Sequence, residues 1–350
     1  MAYTTINKST DYFTTTTWSG SGSQQTISLP FQADWIWVKR RNGTANHAAQ
    51  DIVNGFGNRI SPNRDVALGS EPNGIGTVSG SGFNFQGDYA GSGYNESGGT
   101  YVSWNWKAAN SQGSSNTDGS INTTYTSVNT TAGFSISKYT GNGSAGATVG
   151  HGLGVVPGLI FIKNLSSATT DWGVYHKSLG GTKALFLNLT AQADTNIKYF
   201  NNTDPTNQVF SLGTYNDENA NGENYIAYCF AEKTGYSKFG SYTGNGNADG
   251  TFVYTGFKPA WVMAKRTDSS SSGAWVMWDN KRSPFNSRDE YLVANDSATE
   301  GSSGTAIEIF SNGWKPKAAG ACNISGGSFV YMAFAEAPIV GSNNVPATAS

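Results

Sequence analysis

The chain has 350 residues, with 22 Lys and Arg against 24 Asp and Glu, for a formal net charge of −2. Charged and aromatic residues each make up 13% of it, beside 44 glycines. That is too aromatic for disorder, too short of positive charge to hold nucleic acid or an anionic membrane, and richer in sheet and turn formers than in helix formers.

Residues 1–17 are polar and Thr-rich, without the basic start and apolar stretch of a signal peptide. They read as an N-terminal docking arm that becomes ordered on a partner. No stretch approaches the roughly 18 apolar residues of a membrane span, so no membrane insertion is expected.

Residues 18–109 form the first of three repeating blocks. The opening run Phe31-Gln-Ala-Asp-Trp-Ile-Trp-Val-Lys39 returns as Val155-Val-Pro-Gly-Leu-Ile-Phe-Ile-Lys163 and as Phe257-Lys-Pro-Ala-Trp-Val-Met-Ala-Lys265. The closing run Tyr101-Val-Ser-Trp-Asn-Trp106 returns as Tyr225-Ile-Ala-Tyr-Cys-Phe230 and Phe329-Val-Tyr-Met-Ala-Phe334. The offset is 124 residues from Lys39 to Lys163, 102 from Lys163 to Lys265 and 104 from Phe230 to Phe334. A period that holds at both ends of a block predicts tandem modules. Short apolar runs such as Trp35–Lys39 and Trp261–Lys265 read as central strands. Trp35 and Trp37, like Trp104 and Trp106, are two apart and share a sheet face. Residues 51–58 read as a single helical turn.

Residues 110–132 join the first two modules: 111–119 has a flexible-linker composition, and 120–128 alternates like an edge strand. The second module is 133–233, the third 241–338, and the short linker 234–240 holds these two against each other. In the third, Asn312-Gly313 predicts a two-residue hairpin turn. Residues 339–350 are a polar tail. The class is all-β: three tandem β-sandwich, jelly-roll-like modules behind a short arm.

Several residues invite chemistry. Gly141-Asn-Gly143-Ser-Ala-Gly146 has the spacing of a dinucleotide loop, but no helix follows, so it reads as a glycine turn. Asp217-Glu-Asn219-Ala-Asn221-Gly222 resembles half a calcium loop. The twelfth position is Tyr228 rather than Glu, which favours a polar turn and leaves calcium near Asp217 open. His47, His151 and His176 stand apart from one another and read as structural. Glu232 and Glu336 recur at one module position, as surface acids do, rather than as a glycosidase pair. Lys39, Lys163 and Lys265 close the first long strand of each module and read as blunted strand ends, or as cations over rings. Cys229 and Cys322 fall in different modules and do not make a disulfide framework. Among ten tryptophans, Trp172, Trp275 and Trp278 have the polar surroundings of rings that stack on sugars. No catalytic, metal or cofactor-binding residue is expected, and no cofactor.

The stretches Thr130-Thr-Ala-Gly-Phe-Ser-Ile-Ser-Lys-Tyr-Thr-Gly-Asn-Gly143, Trp172-Gly-Val-Tyr-His-Lys-Ser-Leu-Gly180, Tyr236-Ser-Lys-Phe-Gly-Ser-Tyr-Thr-Gly-Asn-Gly246 and Tyr331-Met-Ala-Phe-Ala-Glu336 resemble a repeat module of virion proteins of tailed phages, marine ones above all. The start, Met1-Ala-Tyr-Thr-Thr-Ile-Asn-Lys-Ser-Thr-Asp-Tyr-Phe13, is similar to the start of such proteins. The first module departs most, with Trp18-Ser-Gly-Ser-Gly and a Gly-rich insertion at 79–99. The resemblance implies a virion structural protein without enzymatic activity. The expected role is a tail fibre or adhesin that contacts host-surface glycans or a receptor. Such a protein would be a homotrimer and would dock on other virion proteins through the arm. A head decoration protein and a polysaccharide-degrading enzyme are the alternatives.

Overall fold

The computed structural model describes residues 4–86, 93–302, 304–320 and 322–337. The tail 339–350 lies outside these residues, as does part of the 79–99 insertion. The fold is all-β: helix among the described residues is confined to a turn at Ser9–Asp11 and another at Asn216–Asn219.

Three main sheets share one strand order, antiparallel throughout. The first runs Phe13–Ser19, Thr100–Trp106, Trp35–Arg40, Ala48–Asp51. The second contains Phe134–Thr140, Asn224–Phe230, Leu159–Asn164, Trp172–His176 in the same order. The third has Ser237–Thr243, Ser328–Ala337, Lys258–Arg266, Trp275–Asp279. Each unit thus has an opening, a closing, a central and a flanking strand. Register agrees as well: Trp106 pairs with Phe13 and Trp35, Phe230 with Phe134 and Leu159, and Phe334 with Ser237 and Trp261.

Successive residues of a strand point to opposite faces, and here both faces are buried. One face of each main sheet packs on a small second sheet. Those small sheets are Gln25–Ser28 with Gly82–Phe85 and Ile75–Ser79, Ala147–Gly150 with Val209–Leu212, and Val253–Tyr254 with Gly313–Pro316 and Ile307–Phe310. Three separate cores result, around Phe83, Phe210 and Trp314. The opposite faces of the three main sheets meet in a fourth core, which takes Trp35, Trp37, Trp104 and Trp106 from the first unit, Phe161 and Phe230 from the second, and Trp261 and Phe334 from the third. At its centre the register-equivalent rings of Trp106, Phe230 and Phe334 form a triangle. Its sides are 6.2, 5.8 and 6.0 Å, with edge-to-face angles of 66, 70 and 64°. The three units therefore surround a pseudo-threefold axis. Each large apolar side chain buried there contributes ~1.5–3 kcal/mol relative to exposure, and each ring pair about 0.5–1.5 kcal/mol more.

Four expectations need correction. Residues 4–17 do not wait for a partner to become ordered: Ile6 and Phe13 lie in the shared core, and the opening strand begins at Phe13. Residues 111–119 are tied down despite their composition, for instance by Gln112 Nε2 to Val53 O at 3.1 Å and Thr126 N to Ser114 O at 2.8 Å. Residues 51–58 are not helical; Asp51 ends a strand, and its Oδ1 accepts from Val53 N and Asn54 N. The hairpin turn sits one residue early, since Phe310 pairs with Gly313 and leaves Ser311 and Asn312 in the loop. Gly313 pairs with Phe310 and Tyr254 in the ladder, and glycine is required there because a Cβ would run into Val253 O and the Phe252 ring.

Candidate functional site: the seams between units

A repeated network closes the ring of units. Trp172 and Trp275 stand opposite the recurring lysines Lys163 and Lys265, and in the first unit His47 comes just before the flanking strand, next to the Val38–Ala48 pair. Each sends a ring N–H to a carbonyl of the next unit: His47 Nε2 to Val293 O at 3.0 Å, Trp172 Nε1 to Ser61 O at 3.1 Å, and Trp275 Nε1 to Phe186 O at 2.7 Å. The first unit thus reaches the third, the third the second, and the second the first. Trp172 and Trp275 are therefore interior staples and not exposed rings. Trp278 is buried in its own unit's core and donates to Thr305 O at 2.7 Å. None of the three is available to stack on a ligand.

Closing and flanking strands make a second set of links. Tyr228 donates its hydroxyl to Asp51 Oδ2 at 2.8 Å, and Trp104 its indole N–H to Asp279 Oδ2 at 3.2 Å. At the third equivalent place both partners change. Met332, which has nothing to donate, replaces Tyr228 and Trp104, while His176 replaces the carboxylate and donates from Nε2 to Tyr331 O at 3.2 Å.

The three recurring lysines are buried rather than exposed strand ends. Lys39 donates to Arg40 O at 2.7 Å, Lys163 to Thr170 O at 2.5 Å, and Lys265 to Thr190 O of the second unit at 3.0 Å and to Gly273 O. Burial lowers their amines to about 8, about 8 and about 7. Lys265 also lies 6.0 Å from the Trp275 ring centre.

All three histidines are buried and held in one manner. Nδ1 accepts from Trp37 Nε1, Leu153 N or Ser178 N, and Nε2 donates to a carbonyl. That pattern needs the neutral ring. Burial lowers His47 to about 3 and His176 to about 4.

A third link sits just past each lysine, at Arg41, Leu165 and Thr267. Their backbone N–H groups donate to Thr100 O, Asn224 O and Ser328 O at 2.7, 2.8 and 2.8 Å, and their carbonyls accept from Glu300 N, Leu68 N and Ala193 N of the next unit at 2.8, 3.1 and 2.9 Å. The backbone is equivalent, but the side chains differ. Arg41 reaches Glu300 at 2.7 Å and Glu290 at 3.4 Å. Leu165 is buried in the shared core. Thr267 is short, and beside it a cleft of about 440 Å³ opens between the third and second units. Arg41, Leu165 and Thr267 escape the sequence reading because the signal is a contrast among repeats: Lys-Arg-Arg, Lys-Asn-Leu and Lys-Arg-Thr.

A family model described as Domain of unknown function (DUF7483) matches residues 8–338. The chain belongs to the DUF7483 family. No curated protein and no solved structure matches it. The family match runs unbroken across all three units.

The remaining sequence candidates in this DUF7483 chain are structural in their contacts. Gly143 and Gly146 take φ of +69° and +78° in the loop after the second opening strand, as a glycine turn requires. Asp217 Oδ1 accepts from Asp171 N at 2.9 Å, and Asn219 Nδ2 donates to Ser144 O and Gly213 O, so these side chains are already engaged. Among the described residues no group of three or more His, Cys, Asp or Glu could hold a metal. Glu232 pairs with Lys177 at 2.6 Å and Glu336 with Lys258 at 2.8 Å. Cys229 and Cys322 are free thiols in separate cores.

Proposed function

We propose that the protein is a non-enzymatic structural component of a tailed-phage particle. It is carried on the outer surface as a tail fibre or adhesin and meets host glycans there. One observation supports this reading beyond the sequence resemblance: the Trp, His, Lys, Asp and Glu side chains that suggested chemistry are engaged in contacts within and between the three units of one closed body. Among the described residues, those that face solvent are mostly Ser, Thr, Asn and Gln. Host contact through such a surface suits a particle that must stay soluble. A homotrimer of this chain uses its outer surfaces only, because all three inner faces are occupied within the chain. A second reading, a head decoration protein, draws on the same closure: the body needs no second copy to complete its core. Antibody labelling of purified particles in the electron microscope separates the two. Label at the tail supports the fibre, label across the shell supports the decoration protein, and absence of the protein from particles contradicts both.

A further inference from the structure

The pseudo-threefold arrangement supplies an internal control for the cleft at Thr267. Three seams have the same backbone, with the same hydrogen bonds in and out of the residue that follows each buried lysine. Two are plugged, one by the Arg41 ion pairs and one by Leu165. The third is open because its residue is Thr267, whose hydroxyl turns back to Ser328 O at 3.2 Å. We propose that this open seam is a binding site for a short neutral oligosaccharide, two or three rings long. The proposal rests on the adhesin reading and gives that reading its contact point.

The chemistry of the walls selects the ligand class. Ser178 on one side and Ser241, Thr243 and Ser328 on the other present exposed hydroxyls to the opening. Hydroxyls both donate and accept, as sugar hydroxyls do. One cation, Lys183 of the second unit, faces one anion, Asp268 of the third, across the cleft. Hydroxyl side chains outnumber these two charges along the walls, which favours a polyol over a phosphate or an amine. Asp268 is fixed by Arg266 Nε at 2.7 Å and also accepts from the backbone of Ser328. Leu179 and Ala193, both partly buried, add an apolar strip for the C–H face of a sugar ring. The volume of about 440 Å³ falls in the range of small-ligand sites. Asp268 is the one carboxylate among the lining residues, short of the pair that glycoside hydrolysis uses, so the walls suit binding rather than turnover.

The test uses the full chain on a printed array of neutral oligosaccharides of two to four pyranose rings, followed by calorimetry with the best-retained one. Two variants accompany it. Thr267→Arg transplants the plug of the first seam, and Lys183→Ala alters an exposed residue and leaves the fold alone. The expected result is retention of at least one neutral glycan, with affinity at least tenfold weaker in Lys183→Ala and no measurable binding in Thr267→Arg. Retention of no neutral glycan, retention of charged glycans only, or unchanged affinity in Lys183→Ala overturns the proposal. Particle labelling reports separately on the adhesin reading. Glycan binding by a protein missing from particles sinks that reading and keeps the site. A tail-located protein that binds no neutral glycan does the reverse.

Discussion

The indole of Trp104 donates to the carboxylate of Asp279 at 3.2 Å, and that carboxylate simultaneously holds the guanidinium of Arg282 at 2.5 Å. Asp279 and Arg282 are fully buried, so one side chain both pins two units together and neutralises a charge inside the protein.

Asp279→Ala leaves the Arg282 guanidinium with Glu300 at 3.0 Å, Met277 O and the Trp104 ring at 5.7 Å. Breaking a buried pair from one side costs about 3–5 kcal/mol. Tyr228→Phe, the milder change at the equivalent link, costs about 1–3 kcal/mol. Urea unfolding monitored by tryptophan fluorescence measures both, and the Asp279 variant should lose clearly more.

The buried lysines predict an alkaline rise in stability. Lys265, lowered from 10.5 to about 7, is neutral in the folded chain and charged in the unfolded chain between those values. Unfolding then takes up a proton, so stability rises with pH in that window. Lys39 and Lys163, lowered to about 8, add to the rise. Above about 10 buried tyrosines such as Tyr139 and Tyr228, held protonated by burial, reverse the trend. The unfolding free energy at pH 9 should exceed that at pH 7, and the increment should shrink in Lys265→Met.

The histidines act on the acid side. His47 and His176 stay neutral when folded and become charged when unfolded below 6.5, so their share of stability is present above 6.5 and is lost as pH falls toward about 3 and about 4. Asp34 and Asp217, raised to about 6 by burial, work in the opposite sense. The histidine share is therefore read from a variant. His47→Gln retains an acceptor for Trp37 and a donor for Val293, and it should lose less stability between pH 7 and pH 4.5 than the parent. An identical loss in both proteins would show that His47 carries none of the acid sensitivity.

The strands and their sides were legible in the sequence, because period-two placement puts Trp35 with Trp37 and Trp104 with Trp106. The meeting of three sheets was written less plainly. Trp35-Ile-Trp-Val, Leu159-Ile-Phe-Ile and Trp261-Val-Met-Ala are apolar at every position, the mark of strands covered on both faces, whereas a strand with one solvated face alternates. Trp172 and Trp275 misled because their polar neighbours bond locally: Asp171 N to Asp217 and Trp172 N to Asn188, as Trp275 N does to Asn295. The open seam was unreadable because it depends on the space beside Thr267, and tertiary packing decides that space.

The shared core makes its most direct prediction in calorimetry. A sheet whose inner face carries Trp261, Met263 and Phe334 cannot keep that face in water, so no unit should melt alone. Thermal unfolding of the full chain should give a single transition, with calorimetric and van't Hoff enthalpies equal. Two or three resolved transitions, each recovered in a separately expressed unit, would contradict a common core.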